Sequence, residues 1–198
     1  MPRYPSVSPS LAAVEASVFS SLVDRLKAHE GEIYPFHVGD TWLEPAEGCR
    51  MEDLRVAEHA GMHRYAPPRG LPPLLEMLAE RVQGRSGVPT SPDEVLVTAG
   101  ATGGLAAVLG AIVQPGDEVL VLAPYWPLIT GIVRCYHGHP VGVPSIGDAT
   151  NASDLVEQAR RNKTERTVAL YLRTPNNPSG RILPPDWIEA LVVWATGE

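Results

Sequence analysis

A chain of 198 residues, 44% hydrophobic and 20% charged, is long enough to bury a core in one or two domains. A net charge of −7, with no long Lys/Arg run to offset it, argues against a nucleic-acid partner. No apolar stretch reaches membrane-spanning length, and the start, Met1-Pro2-Arg3-Tyr4-Pro5, lacks the charged-then-apolar pattern of a secretion signal. Cys49 and Cys135 have neither metal nor redox spacing and read as reduced thiols of a cytoplasmic protein.

The first predicted element is a helix. Leu11, Val14, Val18, Leu22 and Leu26 recur at three- and four-residue steps, Ser10 is a candidate cap, and Gly31 marks the end. Tyr34–Asp40 reads as a short extended piece, and residues 41–64 as a long surface loop with one helical turn. A turn at Tyr65–Gly70 leads into a second helix with Leu71, Leu74, Leu75, Leu78 and Val82 on one face.

From Pro92 the pattern alternates. Strands are predicted at Glu94–Thr98, Glu118–Leu122, Pro140–Val143 and Thr167–Leu172. Helices are predicted at Gly103–Val113, 127–136, Ser153–Asn162 and Asp186–Trp194. Strands that are apolar along their length, alternating with helices, indicate a parallel sheet covered on both faces. The fold class is therefore α/β.

Three motifs carry chemistry. The first is Thr174-Pro175-Asn176-Asn177-Pro178-Ser179-Gly180, directly after the last strand. Its prolines stop the ladder, and Pro178 keeps Asn177 out of the helical region. A stiff turn carrying an amide at the carboxyl end of a strand stands where open α/β sheets bind ligands. The second is Val97-Thr98-Ala99-Gly100-Ala101-Thr102-Gly103-Gly104, a strand, a glycine-rich turn and a helix start, with Thr102 a candidate cap. It is either an anion cup made of free helix N–H groups or a plain tight turn, and it is not a Walker loop. The third is Pro115-Gly116-Asp117-Glu118, followed by the strand and by Pro124-Tyr125-Trp126-Pro127. There Trp126 is either a core residue or a flat surface for a planar ring.

Together these motifs resemble the class I/II aminotransferases of the aspartate aminotransferase fold, which use pyridoxal 5′-phosphate. The Asn-Asn-Pro-Ser-Gly run is similar to that family's N-P-x-N-P-[ST]-G signature, and Gly100-Ala101-Thr102 to its G-[AS]-[TS] phosphate cup. The run Pro115–Trp126 resembles P-G-D-x-V-x-V-x-x-P-x-[YFW]. The resemblance implies a large domain of that fold with an incomplete sheet. Residues 65–198 would be its first part, and residues 1–64 would belong to the small domain or arm. It implies that Ala101 and Thr102 bind the cofactor phosphate and that Trp126 stacks on the pyridine ring. Asn177 would bond the phenolic oxygen and lie near the substrate carboxylate. Tyr65, in a Y-x-x-x-x-G-x-x-x-L segment, would reach the phosphate of the partner subunit's cofactor in a homodimer. Gly39 would meet the substrate α-carboxylate through its backbone, although this chain reads Gly39-Asp40-Thr41 where many members have proline third.

The resemblance spans nearly the whole chain but only the first half of the family pattern. Lys27 and Lys163 are the only lysines, and neither matches the Schiff-base lysine motif, so no catalytic residue is assigned. The expected function is the N-terminal part of an enzyme moving an amino group between an amino acid and a 2-oxo acid. The alternatives are a carbon–sulfur or other lyase of the same fold, and a non-catalytic binding protein that lost the lysine. No metal is expected. The resemblance further implies that Glu94–Thr98 does not sit beside the other strands. A gap in the sheet and poor solubility of the isolated chain are the expectations.

Overall fold

The computed structural model describes residues 6, 8, 9, 18–34, 36, 39, 41, 43–144 and 147–197. The expected roles of Ser10, Leu11, Val14, His37, Val38 and Asp40 lie outside these residues. The chain forms two compact units, one of residues 100–197 with those up to Asp24, the other Arg25–Ala99. The expected boundary at 64/65 falls inside the second unit.

Helix α1, Val18–Lys27, places Leu22 and Leu26 one turn apart, both half-buried. It ends at Lys27, four residues before the expected stop at Gly31. The segment 43–71 carries one helical turn, Met51–Asp53, as expected. Helix α2, Pro72–Ser86, starts on two prolines, whose missing N–H groups cost nothing in a first turn. It stops at Gly87, held left-handed at φ 72 with its N–H on the Gln83 carbonyl. Its expected apolar face is only partly covered. Leu75 and Ala79 are buried, while Leu71, Leu74 and Val82 are exposed.

Glu94–Thr98 is a correction. Pro92–Glu94 is a 3-10 turn capped by Ser91, and residues 95–99 form no strand. Val97 donates to the Arg69 carbonyl, and the Arg69 guanidinium donates to Asp93 and to the carbonyls of Pro92, Asp93 and Val95. A strand exists by its ladder, and here a side chain takes the carbonyls that a neighbouring strand would use.

The first unit is built around strand β1, Glu118–Ala123. Helix α3, Gly100–Ile112, precedes it, and helix α4, Leu128–Cys135, leads to β2, His139–Pro144. Helix α5, Ala152–Asn162, leads to β3, Thr167–Tyr171, and helix α6, Pro185–Gly197, follows. Helix α3 starts three residues earlier than its expected bound at Gly103, so Thr102 lies within its first turn and is not its cap. The strands are parallel in the order β2-β1-β3.

The pleat explains the core. Val119, Leu120, Val121 and Leu122 are all buried because β1 is central and covered on both faces. Leu120 and Leu122 point to one face, where Leu155 and Ala159 of α5 pack with Leu183 and with Trp187, Leu191 and Trp194 of α6. Val119 and Val121 point to the other, where they meet Leu109 of α3, Val113, and Ile129 and Val133 of α4. Fully burying one such side chain is worth about 1.5–3 kcal/mol.

Travel from β1 to β2 uses α4 on one face, and return across β1 to β3 uses α5 on the opposite face. Opposite directions on opposite faces give both crossovers the same hand, as the chirality of parallel connections requires. Among the described residues no helix is long and apolar enough to cross a membrane.

Candidate active site

The loops that leave β1 and β3 diverge. The β1 loop runs into α4 on one face, and the β3 loop into α6 on the other. Adjacent parallel strands whose connections part in this way open a crevice at their carboxyl ends, the switch point of an open α/β sheet.

Trp126 and Asn177 stand on its two banks. Trp126 is half-buried and packs beside the Leu109–Ile129 cluster, and its carbonyl accepts from the Ile129 N–H at 3.2 Å at the start of α4. Asn177 is exposed at the tip of the β3 loop.

Helix α3 brings Ala101 and Thr102 to the same end. It packs on β1 through Leu109 and descends to the turn at Pro115-Gly116, which feeds the amino end of β1. Thirteen residues rise about 20 Å, close to the length of a six-residue strand, so the start of α3 lies at the carboxyl end of the sheet. Gly100 opens the helix at φ 67, a conformation that costs other residues roughly 1–2 kcal/mol. The first-turn N–H groups of Ala101 and Thr102 have no intrahelical acceptor, and both residues are exposed. Four of the expected site residues thus share one end of one sheet. Tyr65 and Gly39 belong to the second unit, where Tyr65 is fully exposed and nothing lies within 4 Å of where a Cβ on Gly39 would stand.

One residue that the sequence reading passed over is central here. Asn176 is the single buried polar residue among those described, 6% exposed. Its Nδ2 donates to the Pro124 carbonyl at 2.9 Å, and its Oδ1 accepts from the Ser179 N–H and Oγ. The signal available was a second asparagine inside a rigid turn, with no hint of its partner.

The arrangement suits a phosphorylated planar ring. Exposed first-turn N–H groups backed by a helix dipole can take an anion, an indole can lie against a planar ring, and an amide can donate a hydrogen bond. The buried Arg173 Nη2, just past β3, has no hydrogen-bond partner, so a cation is also left over near this end. No group of three or more His, Cys, Asp or Glu able to hold a metal occurs among the described residues. A cleft of about 390 Å³ lies elsewhere, between the outer edge of β3 and α6, lined by Val168, Leu170, Leu172, Leu191 and Trp194, and it includes none of these site residues.

Residues 14–196 match the family of class I and II aminotransferases. The chain belongs to that family. Over 141 residues it is 42% identical to a probable aspartate/prephenate aminotransferase of Thermus aquaticus, covering 71% of the chain and 37% of that protein. Over 151 residues it is 35% identical to a probable N-succinyldiaminopimelate aminotransferase of Mycobacterium tuberculosis, covering 74% and 38%. An aspartate aminotransferase of Thermus thermophilus superposes with a TM-score of 0.82 at 30% identity, over 98% of this chain and 51% of that one. The chain spans about half the length of the relatives it matches. The parallel sheet with helices on both faces is thus part of the aminotransferase fold, with only some of its strands, and that family's cofactor is pyridoxal 5′-phosphate.

Proposed function

We propose that the chain is the N-terminal part of a pyridoxal-phosphate aminotransferase that moves an amino group between an amino acid and a 2-oxo acid. The observation that carries this reading is the crevice between β1 and β3, with the start of α3 at the same end. Residues 65–198 form the first part of the cofactor-binding domain, and residues 1–64 belong to the arm or small domain. The cofactor, when bound, supplies an electron sink for the substrate's α-carbon. This chain's residues hold and orient it. The N–H groups of Ala101 and Thr102, with the Thr102 hydroxyl, bind the phosphate. Trp126 lies against one ring face. The Asn177 amide donates to the phenolic oxygen. Gly39 meets the substrate carboxylate through its backbone, and Tyr65 reaches across a homodimer to the second phosphate. The names of the Thermus relatives support aspartate as a substrate. The two exposed thiols that form no disulfide, Cys49 and Cys135, support a cytoplasmic setting.

The test is a titration with pyridoxamine 5′-phosphate, which carries the phosphate and ring but needs no lysine. Indole fluorescence should be quenched saturably, and the effect should shrink in Trp126→Phe. Absence of saturable quenching in the unsubstituted chain would overturn the reading.

A further inference from the structure

The aminotransferase signature leaves the position of Asn176 open, yet this side chain is the most completely bonded at the crevice. Nδ2 reaches across to the Pro124 carbonyl at 2.9 Å, fifty-two residues away in sequence. Oδ1 accepts from the Ser179 N–H at 3.2 Å and from the Ser179 hydroxyl at 2.8 Å. The backbone joins in. The Asn176 N–H donates to the Arg181 carbonyl at 2.8 Å, and its carbonyl accepts from the Gly180 N–H at 2.7 Å. Gly180 turns the chain back at φ 70, which glycine tolerates.

The chemistry dictates the residue type. The Pro124 carbonyl only accepts and the Ser179 N–H only donates, so the side chain between them must do both, and an amide does. Aspartate, nearly the same shape, would set an oxygen against the Pro124 carbonyl. An apolar residue would leave that carbonyl and the Ser179 N–H unpaired.

The two tethered loops are those that carry the ring-facing side chains. Pro124 is two residues from Trp126, and Asn176 immediately precedes Asn177. No ladder hydrogen bond holds these loops, since β1 ends at Ala123 and β3 at Tyr171. We propose that Asn176 is a positioning residue that ties the β1 loop to the β3 loop and so sets Trp126 and Asn177 against each other across the crevice. The inference deepens the proposed function and rests on it for what the two side chains face. The tie itself stands on geometry alone.

The test is hydrogen–deuterium exchange on the full chain at submicromolar concentration. Asn176→Asp removes the donor to Pro124 and keeps the acceptor for Ser179. Exchange in a peptide covering residues 123–130 should rise about tenfold, on the scale of one lost hydrogen bond, while peptides from α5 and α6 stay at their unsubstituted rates. Ser179 is exposed, so Ser179→Ala keeps the fold and removes one of the two donors to the same amide oxygen, the backbone N–H at 179 remaining. It should speed exchange strongly in 174–183 and about twofold in 123–130. If neither variant that folds accelerates exchange in 123–130, Asn176 serves only its own loop and the inference is overturned.

A second readout separates positioning from plain stability. In the pyridoxamine 5′-phosphate titration, Asn176→Asp should weaken binding about tenfold and reduce the Trp126-dependent part of the quenching. A merely structural residue would lower the melting temperature and leave that part unchanged. With no quenching in the unsubstituted chain the proposed function fails, and the exchange data still decide whether the tie exists.

Discussion

At the residue scale the candidate site offers backbone N–H groups, an indole and an amide, with no nucleophile or base among them. Lys163 follows the last residue of α5 and precedes Thr167, so it lies at the amino end of β3, the far side of the sheet from the crevice. Five strand residues span roughly 16 Å, beyond the reach of one lysine side chain. Lys27, the other lysine, ends α1 and matches no family lysine motif. Borohydride reduction of the chain mixed with pyridoxal 5′-phosphate should therefore leave neither lysine specifically modified, as peptide mass mapping would report. Stoichiometric labelling of Lys163 would contradict the sheet geometry. In an enzyme that carries the whole catalytic set, Asn177→Ala and Trp126→Ala should each weaken cofactor or substrate binding. Asn177 is exposed, so the melting temperature of Asn177→Ala should stay near the unsubstituted value, while Trp126→Ala should lower it somewhat, because Trp126 is half-buried against the Leu109–Ile129 cluster. Unchanged kinetics in both variants would remove them from the site.

At the element scale α5 shows how its first turn is secured. Asn151 caps it, its Oδ1 accepting from the Asp154 N–H at 2.9 Å. The Asp154 carboxylate in turn accepts from the Thr150 hydroxyl and N–H, which holds its pKa below the usual aspartate range. Farther along, Glu157 bonds Arg161 at 2.9 Å and Arg160 at 3.2 Å, and its pKa is lowered as well. Asn151→Ala should cost about 1 kcal/mol, read from urea unfolding, because one first-turn N–H loses its acceptor. Both acids are stabilised in the charged form, so their contribution is complete above the ordinary carboxylate pKa and disappears as pH falls through the lowered folded-state values. The melting temperature should accordingly fall on acidification below about pH 4, and the fall should be smaller in Asp154→Asn. An equal fall in that variant would show that Asp154 contributes nothing.

At the scale of the whole molecule the open feature is the outer edge of β3. Among the described residues it pairs with β1 on one side only, and its other side borders the apolar cleft against α6. Val168, Val192 and Val193 are exposed there or close by. A bare apolar strand edge is a template for pairing with another chain. The isolated 198-residue chain should self-associate at micromolar concentration, and Val168→Lys combined with Val192→Glu should suppress this in light scattering. A monodisperse, cooperatively melting unsubstituted chain would show that the edge is harmless and the unit self-sufficient.

Much of this was legible in the residues because it is local. Continuous apolar runs marked β1 and β3, helical periodicity marked α3 to α6, and proline and glycine marked the turns at Gly116 and Asn177. The resemblance to the aminotransferase motifs pointed to Ala101, Thr102, Trp126 and Asn177 as candidates without any contact being known. Tertiary structure decided what depends on partners far apart in the chain. Glu94–Thr98 has the composition of a strand, yet no ladder forms there, since pairing is a property of two segments and not of one. Leu74 and Val82 carry the helical period of a buried face, yet they stay exposed, because a stripe is buried only where another surface meets it. Asn176 looked like one more turn former. Its tie to Pro124 across fifty-two residues emerges only when β1 and β3 lie side by side, which brings a buried donor to a carbonyl just past the end of the β1 ladder.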